Sequence, residues 1–167
     1  MSRGTRIATI FFTVVLAAIF SLFFFVRFHD GPMEIISGGP FTTGEMVDPP
    51  SDWSFLEDRM TIELQTMIPP RSRTMWLAVH DERLFVGSNY MNTFIGKLWK
   101  QWPKTVARDN RALIRVDGTL YELQLVRITE GDEIEGIIDR FNEKYLAEFS
   151  LEGVENGGTW LFELRAR

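Results

Sequence analysis

A mainly β (α+β) domain with two short helices, carried behind one N-terminal transmembrane helix, is the fold class this sequence predicts. Three observations predict it. The twenty positions Ile7 to Val26 hold no charge, no proline and no glycine. From Met60 onward the apolar residues recur with a period of two, as in strands with one buried face. Asp117-Gly118 then sits between two strand-like runs, and both residues accept the positive φ that a tight hairpin demands.

The apolar span reaches about 30 Å at roughly 1.5 Å per residue, the thickness of a bilayer's hydrocarbon core. A soluble helix of that length would need a polar face, which this one lacks. A cleaved signal peptide is the competing reading. The run exceeds the usual signal core, however, and Val26-Arg27-Phe28-His29-Asp30 offers no small-x-small cleavage site. Arg3 and Arg6 precede the span and Arg27 follows it, with Asp30 close by, so flanking charge predicts a cytoplasmic N-terminus and an extracytoplasmic domain. The expected divisions are 1–30 for N-terminus and anchor, 31–54 for a Gly/Pro-rich lead-in and 55–167 for the domain. Ile35, Ile36, Phe41, Met46, Val47 and Trp53 make the lead-in too apolar for a purely solvated tether, so part of it should pack on the domain.

Thr61, Glu63 and Gln65 alternate with Ile62 and Leu64 in a first strand that Pro69-Pro70 ends. Arg73 to His80 and Leu84 to Gly87 form a hairpin across Asp81-Glu82-Arg83. Thr93 to Gln101 predicts a short amphipathic helix carrying Phe94, Leu98 and Trp99, stopped near Pro103. Ala112 to Val116 and Leu120 to Thr129 flank the Asp-Gly turn. The next helix opens at Asp132 and Glu133, whose charges suit a helix N-terminus. It spaces Ile134, Ile137, Ile138, Phe141, Tyr145 and Phe149 by three and four, a core stripe. Gly153 to Gly158 reads as a loop and Thr159 to Leu164 as the last strand.

Beyond the anchor, 15 Lys and Arg stand against 22 Asp and Glu, a net of −7. That balance argues against nucleic acid as a partner. The absence of cysteine excludes disulfides and thiolate chemistry. His29 and His80 are isolated, which predicts no metal site, and no nucleophile elbow or phosphate loop occurs. No catalytic residue is assigned. A basic run, Lys97, Lys100, Lys104, Arg108, Arg111 and Arg115, reads either as a stripe toward phosphate or anionic lipid, or as a solvated face balanced by Glu130, Asp132, Glu133 and Glu135.

The segments Ser72 to Val79, Leu84 to Ser88, Lys97-Leu98-Trp99 and Ala112 to Tyr121, in this order of elements, resemble the pyridoxamine-phosphate-oxidase-like split β-barrel superfamily. The likeness runs from about Thr61 to Tyr145, and the lead-in looks like that of a membrane-anchored subgroup from which no activity carries over. The resemblance implies a split β-barrel, FMN or a deazaflavin as cofactor, and a homodimer with the cofactor near its two-fold. It also implies a phosphate site: Arg73 and Lys97 facing the anion, Thr74 and Ser88 donating hydrogen bonds, Trp99 stacking on or shielding a ring. The bland alternative is that Arg71 and Arg73 merely flank a strand and Trp99 fills the barrel. The expected function is a membrane-anchored ligand-binding or structural module, with a flavin- or deazaflavin-dependent oxidoreductase as the alternative.

Overall fold

The computed structural model describes residues 2–34, 36–94 and 101–167. Helix α1, Arg3–Val26, is capped by Ser2, whose hydroxyl accepts from the Thr5 N–H at 3.2 Å. Thr9 and Thr13 satisfy their own hydroxyls by donating to carbonyls four residues back, at 2.9 Å each, so they do not break the apolar surface. The helix is long and apolar enough to cross a membrane, and nearly all of it projects outside the fold.

Seven strands follow: β1 Glu45–Val47, β2 Thr61–Met67, β3 Pro70–His80, β4 Arg83–Ser88, β5 Arg111–Val116, β6 Thr119–Ile128 and β7 Trp160–Ala166. Six of them close a ring in the order β6-β5-β2-β3-β4-β7, with β7 returning to β6, and every pair in that ring is antiparallel. Closure leaves no free sheet edge around the ring. This is the barrel that the family resemblance implies. Strand β1 adds to β6 in parallel, Glu45 opposite Thr119. The Asp117-Gly118 turn has φ of 50° and 82°, as its sequence demands. The β3–β4 hairpin uses Asp81 and Glu82 in the same way, at 49° and 62°.

Period-two alternation sorts the side chains into two cores. Leu64, Leu77, Val79, Leu84, Val86, Ile114, Leu123, Phe162 and Leu164 fill the barrel, together with Trp53 from the lead-in and Trp102. Their strand neighbours Ala78, Phe85 and Leu161 face outward, under helix α3, where Ile134, Ile137, Ile138 and Phe141 cover them.

Three helices of the domain have described bounds: α2 Trp102–Val106, α3 Glu133–Tyr145 and α4 Leu151–Glu155. Several expectations change in detail. Pro103 sits in the first turn of α2, where its missing N–H costs nothing. Most of the helix expected over Thr93 to Gln101 lies outside the described residues. Helix α3 ends at Tyr145 because Leu146 turns left-handed, with φ 49°. Phe149 is therefore not on the helix, yet its ring packs edge-on to Phe141 at 4.9 Å. The expected Gly153–Gly158 loop begins as α4, capped by Ser150, which accepts from the Gly153 N–H at 3.1 Å. Gln65 is buried rather than solvated, because its Oε1 accepts the Phe41 N–H of the lead-in at 2.5 Å.

The lead-in packs on the barrel as its apolar residues require. Gly38 pairs with Ser72 on β3, and the Ser72 hydroxyl donates to the Gly39 carbonyl at 2.6 Å. Arg115 on β5 reaches Asp30 at 2.9 Å and Glu63 at 2.5 Å, and its guanidinium lies 4.5 Å from the Phe41 ring centre. Gly31, at φ 84°, presses so closely on that guanidinium that a methyl group there would clash with it.

Candidate functional site

The register of β3 opens the site. On one side β3 pairs with the whole of β2 over its first seven residues, from Trp76 opposite Thr61 to Pro70 opposite Met67. On the other side it pairs with β4 only from His80–Arg83 to Leu77–Val86. Past Val86, β4 continues to Ser88 beside β7, with Ser88 opposite Trp160. The two strands therefore part, and a cleft of about 1240 Å³ fills the gap.

The lower half of β3 supplies one wall with Arg71, Arg73, Thr74 and Trp76; Gly87, Ser88, Asn89 and Tyr90 supply the other. Tyr145 closes the top. Its hydroxyl accepts the Leu77 N–H at 3.0 Å and lies 2.6 Å from the Met60 carbonyl, just before β2 begins, where β3 is left without a β2 partner. Its ring stacks on Trp76 with centroids 4.6 Å apart and planes 6° from parallel. Burial pushes the Tyr145 phenol up to about 12, so it stays neutral. A fixed aromatic stack thus borders the cleft.

Arg73 points toward the barrel end, with its guanidinium 5.9 Å from the Trp102 ring centre. Its Nε is buried and has no hydrogen-bond partner. Burial first, and the neighbouring Arg71 second, push Arg73 down to about 10; it remains a cation at neutral pH. Arg71 is shifted downward as well, by burial and then by Arg27. Glu148 is the one carboxylate lining the cleft among the described residues. Neither cleft arginine forms an ion pair with any described residue.

Of the five site residues expected from sequence, Arg73, Thr74 and Ser88 meet at this cleft. Ser88 is buried there, its hydroxyl 3.3 Å from the Met91 sulfur. Lys97 and Trp99 lie outside the described residues. Trp76, Tyr90 and Tyr145 are the wall residues that sequence reading missed: helical spacing marks Tyr145 as core, because the same stripe that covers the barrel ends at the cleft. Of the basic run, Lys97 and Lys100 lie outside the described residues, and two of the remaining four are paired within the fold. Arg111 is held by Asp109 at 2.7 Å and Arg115 by Asp30 and Glu63, none of which is among the carboxylates expected to balance it. A smaller depression near Arg59, Glu63, Arg115 and Asp117 has its charges paired within itself, Arg59 gripping Asp117 with two bonds of 2.8 Å.

These features define a closed β-barrel split along one strand pair, behind a helix able to span a membrane. No family model matches the chain, and no curated protein does. Solved structures do resemble it. The conserved hypothetical protein Rv2991 of Mycobacterium tuberculosis is 18% identical over 68% of this chain and 77% of its own, with a TM-score of 0.48. A Listeria innocua protein named for pyridoxamine 5'-phosphate oxidase is 16% identical over 66% of this chain and 86% of its own, with a TM-score of 0.44. An F420 reductase is 15% identical over 71% of this chain and 95% of its own, with a TM-score of 0.44. Each likeness is one of fold only; it assigns this chain no ligand.

Proposed function

We propose that the split between β3 and β4 makes this protein a membrane-anchored binding module for a planar ligand that carries a phosphate, of the flavin or deazaflavin kind. The buried, unpartnered Nε of Arg73 carries the reading. A buried guanidinium donor without an acceptor costs stability unless a ligand supplies one, and its planar fork matches phosphate oxygens. Thr74 and Ser88 add hydroxyl donors, and the Trp76–Tyr145 pair offers a flat apolar wall for a ring. A bound flavin would bring electron-transfer chemistry of its own, with the chain fixing its phosphate and ring. The domain faces the side opposite the cytoplasm in this proposal, as Arg3 and Arg6 ahead of the span suggest.

The test is to extract the full chain in neutral detergent, record its visible absorption, and titrate it with flavin mononucleotide and with a deazaflavin phosphate. Saturable binding of either is expected. Colourless protein that binds neither at high micromolar concentration overturns the proposal. A C-terminal reporter active only in the cytoplasm would reverse the orientation.

A further inference from the structure

The outer end of the cleft differs from its inner end. Phe23, a residue of α1, lines it, as do Ile36 and Ser37 of the lead-in and Pro69 and Arg71 beside them. Phe23 precedes the last helical residue, Val26, by about one turn, so it sits roughly 4.5 Å deeper along the helix axis. If α1 crosses the bilayer, this rim of the cleft lies in the layer of lipid head groups and upper chains.

The chain fixes that placement by backbone bonds. The Gly39 N–H donates to the His29 carbonyl at 3.0 Å, just past the helix, and Gly38 exchanges bonds with Ser72 at 3.0 and 3.3 Å. Arg71, next to Ser72, is thereby brought to the end of α1, where the carbonyl of the C-cap residue Arg27 lies against Gly39. Arg27 and Arg71 share this corner, near enough for the charge of Arg27 to add to burial in lowering the Arg71 pKa, and neither has a carboxylate partner among the described residues; an anion would relieve both. Around them the surface is apolar and exposed: Ile68 at 63% on the β2–β3 turn and Phe28 at 67%. Cations next to exposed apolar side chains at a helix exit match a phosphate with a hydrocarbon chain attached.

We infer that the membrane-proximal end of the cleft seats the phosphate head group of an anionic bilayer lipid between Arg27 and Arg71, with its acyl chain along Phe23 and Ile36. The inner cleft at Arg73 is a separate position, so this seat stands whether or not a planar ligand binds there. The shared chemistry is phosphate; a water-soluble phosphate is the other source, and the lipid is favoured because Phe23 and Ile36 would face water around a soluble anion.

Native mass spectrometry of the full chain in neutral detergent tests the inference, with phosphatidylglycerol, phosphatidylcholine and soluble glycerol 3-phosphate as probes. One phosphatidylglycerol per chain should be retained at concentrations about tenfold below those needed for phosphatidylcholine, and glycerol 3-phosphate should not displace it. Arg27→Gln with Arg71→Gln should weaken retention about tenfold, while Arg140→Gln, on the exposed side of α3, leaves it unchanged. Equal retention of the two lipids by the unaltered chain overturns the inference, and this arm needs no variant to fold. Displacement by glycerol 3-phosphate overturns it too, as does full retention by a folded double variant. Flavin titration of that variant separates the two sites, since Arg73 is untouched in it.

Discussion

Arg115 and Arg73 are both strand arginines at the barrel surface, and they are treated oppositely. Arg115 is satisfied on every side, by Asp30, Glu63 and Thr43 and by the face of Phe41. Arg73 has a buried Nε without an acceptor, a like charge beside it and an aromatic ring above. A cation that is fully matched within the fold holds the fold together. One left unmatched at the edge of a cleft is what a binding site requires and what stability alone would remove. The first ties the segment that follows α1 to the barrel; the second faces the place where the barrel comes apart.

The sharpest break in this comparison is Arg115→Met. It strands Asp30 and Glu63 without their cation, and a loss of about 3 kcal/mol is expected in denaturant unfolding of the detergent-solubilised chain. Tyr145→Phe comes next. It removes the hydroxyl that serves the Leu77 N–H and the Met60 carbonyl, and should cost about 1–2 kcal/mol while keeping the stack on Trp76.

The joint also has an acid limit. Burial alone would raise the Asp30 carboxyl, but hydrogen bonds from the Thr43 hydroxyl, the Thr42 N–H and Arg115 outweigh it and hold the group at about 2, against an ordinary 3.8. Its folded value is depressed, so its contribution is complete above about pH 4 and disappears as pH falls through about 2. Asp30→Asn should flatten the melting temperature across that window, whereas an unchanged slope would remove Asp30 from the joint. Arg59→Ala breaks an ion pair whose Asp117 side chain is 75% exposed and screened by solvent, so it should cause the smallest change of the series, with no measurable shift in the denaturation midpoint.

Much of the barrel is legible in the chain, because its elements are set by local rules. Period-two runs, the Asp117-Gly118 turn and the spacing of Ile134 to Phe141 each specify their own element, and the long apolar N-terminal helix is read from composition alone. What could not be read was tertiary. Gln65 looks like a solvent-facing strand residue until Phe41, twenty-four positions earlier, donates to it. That Pro103 opens α2 as a first-turn residue is seen only once the five residues of that short helix are placed against the barrel. Arg73, Thr74 and Ser88 could be chosen for their chemistry. Their meeting depends on where β3 leaves β4, which no single segment encodes. The partners of Arg115 lie 52 and 85 positions away and carry no sequence signal.

The most direct test of the account pairs two readings on one variant, Arg73→Met in the full-length chain. Methionine keeps the apolar reach against Trp102 and removes a buried donor that the fold does not pair, so the ligand-free chain should unfold no more readily than the original and gain up to about 1 kcal/mol. Affinity for flavin mononucleotide, followed by flavin fluorescence, should fall at least about tenfold. A variant that binds flavin as well as the original, or that unfolds as readily as Arg115→Met, would show that Arg73 is a structural residue and that the split is not the site.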